Sequence, residues 1–144
     1  YFFLLDEMIK VLNRIYEEID WNETDLFKRL HQITEIKRGI MKKYPQAFAF
    51  LLALIREKSD QVEEELEKII RLYTEEALGR VFVGIDYSKF REDVDLKKML
   101  KIINWTMMSY AAEEREKSET FEITEEQIRE FDEYMGILKR CFYR

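Results

Sequence analysis

One cysteine, one proline, one histidine and four glycines are all that the 144 residues hold of the types that make disulfides, sharp breaks, imidazole sites and phosphate loops. Cys141 has no second cysteine to pair with, so a reducing cytoplasm is the expected compartment. Gly39, Gly79, Gly84 and Gly136 are scattered and build no loop whose backbone N–H groups could cradle a phosphate. Di-metal carboxylate sites in helical bundles need a Glu three residues before a His, and the residue at that place before His31 is Lys28. No metal and no cofactor are therefore expected. The thiol of Cys141 has no second imidazole to serve as its base, and His31 belongs to a different helix. Runs such as Glu63-Glu64-Glu65 and Glu113-Glu114 project about 100° apart on a helix, so they supply no facing acid and base. No catalytic residue is expected either. Positive charge is also short: 24 Lys and Arg stand against 30 Asp and Glu, and a net charge of −6 opposes the attraction to phosphates on which nucleic-acid binding depends. The longest apolar run, Ala47–Ile55, falls short of the roughly 20 residues that span a bilayer, so no membrane partner is expected and the run reads as a helix buried nearly all round.

What the chain does have is 47% apolar and 14% aromatic residues arranged at helical spacing, enough for one all-α domain over residues 1–144. A first helix is predicted from Tyr1 to Ile19 with Leu5, Met8, Leu12, Ile15 and Ile19 on one face. Asn22 or Thr24 is the expected cap of a second, through Lys43, with Leu26, Leu30, Ile33, Ile36 and Ile40 in one stripe and Phe27, His31, Thr34 and Met41 in another. Tyr44-Pro45 ends it and starts a third helix through Arg56, because proline disfavours a helical residue before it yet suits a first turn. Ser59 opens a fourth, with Val62, Leu66, Ile69, Tyr73 and Leu78 inward, and Gly84 closes it. A connector follows in which Ser88–Arg91 makes one turn and Phe90 is pinned to the core. The fifth helix begins near Asp95, and Thr124-Glu125-Glu126-Gln127 is a capping box for the sixth. Tyr1 enters a helical pattern with no cap ahead of it, from which we expect a longer parent protein with further sequence upstream.

The last two helices carry more apolar surface than a monomer of this size can hide. Ile128, Phe131, Met135, Leu138 and Phe142 draw one stripe, and Tyr134, Ile137 and Cys141 draw a second. A surface helix needs one stripe about 100° wide, so the second asks for a partner inside the chain or outside it, most simply a second copy. Residues expected at such an interface are Ile102, Thr106, Ser109, Tyr110, Phe131, Tyr134, Met135, Leu138, Cys141 and Phe142. A separate set, Phe27, His31, Thr34, Phe48, Leu52, Tyr73, Asn104, Trp105 and Met108, has the composition of a mainly apolar ligand cavity with a few orienting polar groups. The same residues equally suit an ordinary filled core.

The six-helix order, the Tyr44-Pro45-Gln46-Ala47-Phe48 break, the connector Ile85-Asp86-Tyr87-Ser88-Lys89-Phe90-Arg91 with Asp93-Val94-Asp95 after it, and Ile102-Ile103-Asn104-Trp105-Thr106 together resemble the C-terminal regulatory domain of bacterial TetR/AcrR-type transcriptional regulators. That resemblance implies a homodimer built through a four-helix bundle of the last two helices and a small apolar or amphipathic effector held among the others. It also implies that residues 1–20 form the connecting helix to an N-terminal DNA-binding domain absent from this sequence, through which alone DNA would be held. Two rivals stand beside it: a ligand-free helical dimerisation or protein-interaction module, in which His31 and Asn104 find protein partners, and a helical-bundle enzyme, which would carry a metal or cofactor.

Overall fold

The computed structural model describes residues 2–56, 79–117 and 122–144, together with Glu64 and Lys68. Within them the chain forms α1 (Phe2–Glu18), α2 (Leu26–Lys43), α3 (Pro45–Arg56), a 3₁₀ turn (Tyr87–Lys89), α4 (Leu96–Lys117) and α5 (Glu125–Phe142). The described residues contain no strand, only a single antiparallel bridge between Phe90 and Tyr143. The fold is all-α. Among the described residues no helix is long and apolar enough to cross a membrane.

Helix α2 is the element on which the others converge: α1, α3 and α5 pack against it, while α1 also meets α3 and α4 meets α5. Its apolar positions serve two cores. Ile33 and Ile40 join Val11, Ile15, Ile19 and Phe48 at one end, and Leu26, Phe27 and Leu30 join Ile85, Phe90, Met99, Ile103, Phe131 and Met135 at the other. The inward face of α1 is Met8, Val11 and Ile15, with Ile19 buried just past its end and Leu12 half-buried at its edge where the spacing placed it centrally. Helix α3 is not wrapped all round: Phe48 is buried, but Ala49 and Ala53 face solvent. Small alanines allow this, because each exposes little apolar area.

The helix ends follow local chemistry. Neither Asn22 nor Thr24 caps α2. Asp25 does, accepting from the N–H groups of Phe27 at 3.0 Å and Lys28 at 3.2 Å, while the Thr24 carbonyl accepts the Asp86 N–H across the connector. Thr124 and Gln127 form the reciprocal capping box of α5. Asp95 accepts from Lys98 N–H at the start of α4. The connector turns at Tyr87–Lys89 and leaves Phe90 only 2% exposed. The predicted fourth helix, with Ser59 and the inward residues from Val62 to Leu78, lies outside the described residues except at Glu64, Lys68 and its end. There Gly84 has a φ of +72°, the left-handed conformation in which glycine stops a helix. Gly84→Ala is expected to cost about 1–2 kcal/mol in chemical denaturation, from backbone strain alone, since the nearest side-chain atom to an added Cβ stands at 3.9 Å.

Candidate functional site

Helices α4 and α5 pack side by side. Each has one side turned into the molecule: Met99 and Ile103 on α4 are fully buried, and Ile128, Phe131 and Met135 on α5 are nearly so. Tyr110 locks the pair together, donating its hydroxyl to the Gln127 carbonyl at 3.1 Å and lying between the rings of Phe131 and Tyr134. Burial, with the nearby carboxylates of Glu130 and Glu114 adding to it, pushes the Tyr110 hydroxyl up to about 12. It therefore stays neutral and keeps its donor through the physiological range.

The other side of each helix is apolar as well. On α4, Ile102, Trp105 and Met108 are 39%, 61% and 47% exposed; on α5, Tyr134 and Ile137 are 44% and 50% exposed. Ser109 and Cys141 are exposed with them. Several large apolar residues are thus gathered, exposed, on neighbouring helices.

The ten residues assigned to an interface from the sequence divide between these two sides. Ile102, Ser109, Tyr134 and Cys141 face out; Thr106, Tyr110, Leu138 and Phe142 are half-buried along the seam; Phe131 and Met135 belong to the chain's own core. The stripe that includes Ile128 is thus the inward one, and Ile137 belongs to the outward one. The nine residues assigned to a cavity do not converge on one space. Phe27 lies in one core and Phe48 in the other, Leu52 is half-buried on α3, Trp105 and Met108 stand on the outer face, and Tyr73 lies outside the described residues. Spacing carries Trp105 outward, since it sits three residues after Ile102 and four before Ser109 on the same helical side. Thr34 donates back to the Leu30 carbonyl at 3.0 Å, a bond internal to its own helix.

His31 is exposed and meets Asp132 of α5 with its Nδ1 at 2.9 Å, and Glu35 lies 3.8 Å from its Nε2. A second ion pair, Arg38 with Glu125 at 3.1 Å, runs parallel to it between α2 and α5. Asn104 is different. Its Oδ1 is buried and has no hydrogen-bond partner among the described residues, as is true of Oε1 of Gln32 on α2. Among the described residues no group of three or more His, Cys, Asp or Glu side chains stands ready for a metal ion.

Two buried charged residues at the start of α2 tie these parts together, and neither was singled out by spacing. Arg29 is fully buried. Its guanidinium donates to the carbonyls of Trp21, Glu23, Val81 and Val83, and it lies over the Trp21 ring. Burial pulls its pKa down and the charges of Glu23 and Asp20 push back, but a guanidinium keeps its proton. Asp25, besides capping α2, accepts from Lys89 Nζ at 3.2 Å and from the Tyr143 hydroxyl at 3.2 Å. The end of α5 is thereby fastened to the start of α2, an attachment continued by the Arg91 N–H to the Phe142 carbonyl and the Arg144 N–H to the Lys89 carbonyl.

Burial pushes the Asp25 carboxyl up, but the Lys28 N–H and the Lys89 ammonium outweigh it and hold the group below the usual carboxylate range. With the folded value depressed, its contribution to stability is complete above the unfolded value of about 3.9 and is lost as pH falls through the folded one. Asp25→Asn keeps a capping oxygen and loses the charge. The variant should be less stable than the parent at neutral pH, and the two should converge in acid below about pH 4, read from urea midpoints across pH.

Comparison of the chain with family models, with curated proteins and with solved structures finds no match.

Proposed function

We propose that this chain is the dimerising, effector-sensing domain of a TetR-type transcriptional regulator, acting without catalysis. The observation that carries the reading is the exposed apolar side of α4 and α5, with Ile102, Trp105, Met108, Tyr134 and Ile137 turned to solvent. A second copy presenting the same side covers it, as an isologous interface requires. DNA contact belongs to an N-terminal domain joined through α1. The acidic balance of the chain agrees with that division of labour.

The sensing half of the proposal is supported by Asn104 and Gln32. A buried amide oxygen without a partner costs free energy, and a small amphipathic molecule offering a donor removes the cost. Such a molecule acts on the dimer only through its differential affinity for two arrangements of the helices. A continuous route for that coupling runs from α5 through Tyr143 and Asp25 to α2, and from Arg29 to the loop at Trp21–Glu23 that follows α1. The bond from His31 to Asp132 favours a second reading, a dimerisation module with a filled core and no effector. The two differ in their response to amphipathic compounds: a sensor melts several degrees higher with one of them bound, and a filled module does not shift.

Covering the face buries Trp105, which gives a direct test in a Trp21→Phe variant where it is the remaining indole. Its emission should move to shorter wavelength as protein concentration rises through the dissociation range. Emission fixed at the wavelength of a solvated indole at every concentration would overturn the dimer.

A further inference from the structure

The exposed side of α4 is patterned in charge as well as in apolarity. At about 100° per residue, Lys98, Lys101, Ile102, Trp105, Met108, Ser109, Ala112, Glu113 and Glu116 all fall within about 80° of the direction of Trp105, and all of them are exposed. Along this stripe the order is basic, then apolar with the small Ser109 and Ala112, then acidic at Glu113 and Glu116, with the exposed Lys97 and Arg115 at the edge opposite Glu113. None of Lys98, Lys101, Glu113 and Glu116 is engaged in an ion pair among the described residues, whereas Glu114, on the side facing α5, accepts from Gln127 and pairs with Lys117.

A strip that is positive at one end and negative at the other is complementary to its own reversed copy. We infer that the second copy docks with its α4 antiparallel to this one, the two-fold axis passing near Met107, so that Lys98 faces the partner's Glu116, with Lys101 and the partner's Glu113 flanking that pair on opposite edges of the contact. The inference rests on the dimer reading above and fixes its geometry. The same register sets the large Trp105 opposite the partner's Ser109 and Ile102 opposite the partner's Ala112, so that each bulky side chain meets a small one. Large residues against small ones let two helices approach closely without voids. Two-fold symmetry repeats the ion pair, giving two. A parallel arrangement would set Lys against Lys and Glu against Glu, which costs free energy. The charge pattern therefore selects a second copy in one orientation over other apolar surfaces.

Charge reversal at either end tests this. The variants Lys98→Glu with Lys101→Glu, and Glu113→Lys with Glu116→Lys, replace exposed residues and should retain the parent's helicity. Each should dimerise at least tenfold more weakly at low salt, and an equimolar mixture should recover the parent's affinity as a heterodimer, measured by sedimentation velocity with one variant labelled. The first pair of changes raises the net negative charge and the second lowers it. A general charge effect would weaken one variant and strengthen the other, and that outcome overturns the register. So does a parent dimer that neither pair of changes weakens. A parent chain that stays monomeric at the same concentrations overturns the dimer reading itself.

Discussion

Replacing Ile137 by aspartate, or Trp105 by glutamate, is expected to turn a dimer into a monomer while leaving the far-ultraviolet circular dichroism unchanged. Both residues are at least half exposed in the single chain, so a charge there costs the monomer little. In the proposed interface each would place a carboxylate in a desolvated apolar contact, and twofold symmetry makes the change count twice. Loss of a central aromatic or aliphatic anchor alone typically costs 2 kcal/mol or more. A rise in Kd of about a thousandfold, equal to roughly 4 kcal/mol, is the expected scale. Phe131 and Met135 behave in the opposite way. They lie in the core that α5 shares with α2 and α4, so a charge at either should unfold the chain. Equilibrium sedimentation alongside thermal melting separates the two outcomes.

Arg29→Met is expected to lower stability by about 3–5 kcal/mol, a large share of what a domain this size holds. The methionine fills much of the same volume but leaves the carbonyls of Trp21, Glu23, Val81 and Val83 without their charged donor in a site where Arg29 is fully buried. Those carbonyls belong to the loop after α1 and to the segment before Gly84, so the substitution loosens two connections at once. Lysine should rescue little, since one ammonium cannot spread its donors across four carbonyls as a planar guanidinium does. Urea denaturation gives the magnitude.

Helix positions were legible in the sequence because apolar spacing and end signals agree: Pro45 starts α3, the Thr124 and Gln127 pair starts α5, and Gly84 takes the left-handed conformation. The cap of α2 expected at Asn22 or Thr24 falls three residues or one residue ahead of the observed Asp25. Asn22, Thr24 and Asp25 are all good caps, and only the tertiary bonds to Lys89 and Tyr143 select Asp25. Arg29 was illegible for the converse reason: an arginine on an amphipathic helix ordinarily reads as solvated, and its carbonyl acceptors near residue 82 are about fifty positions away. The excess apolar surface on the last two helices could be read from composition and spacing. Its division into an inner and an outer side could not, because Trp105 and Met108 suit a cavity and an interface equally well until the helix is seated on Met99 and Ile103.

The central claim is that the outer side of α4 and α5 is covered by another molecule of the same chain. Sedimentation equilibrium of the chain at micromolar concentration tests it most directly. The proposal predicts the mass of two 17.7-kDa chains, reverting to one in the Ile137→Asp variant. A single-chain mass for the parent at every concentration up to the millimolar range would contradict it.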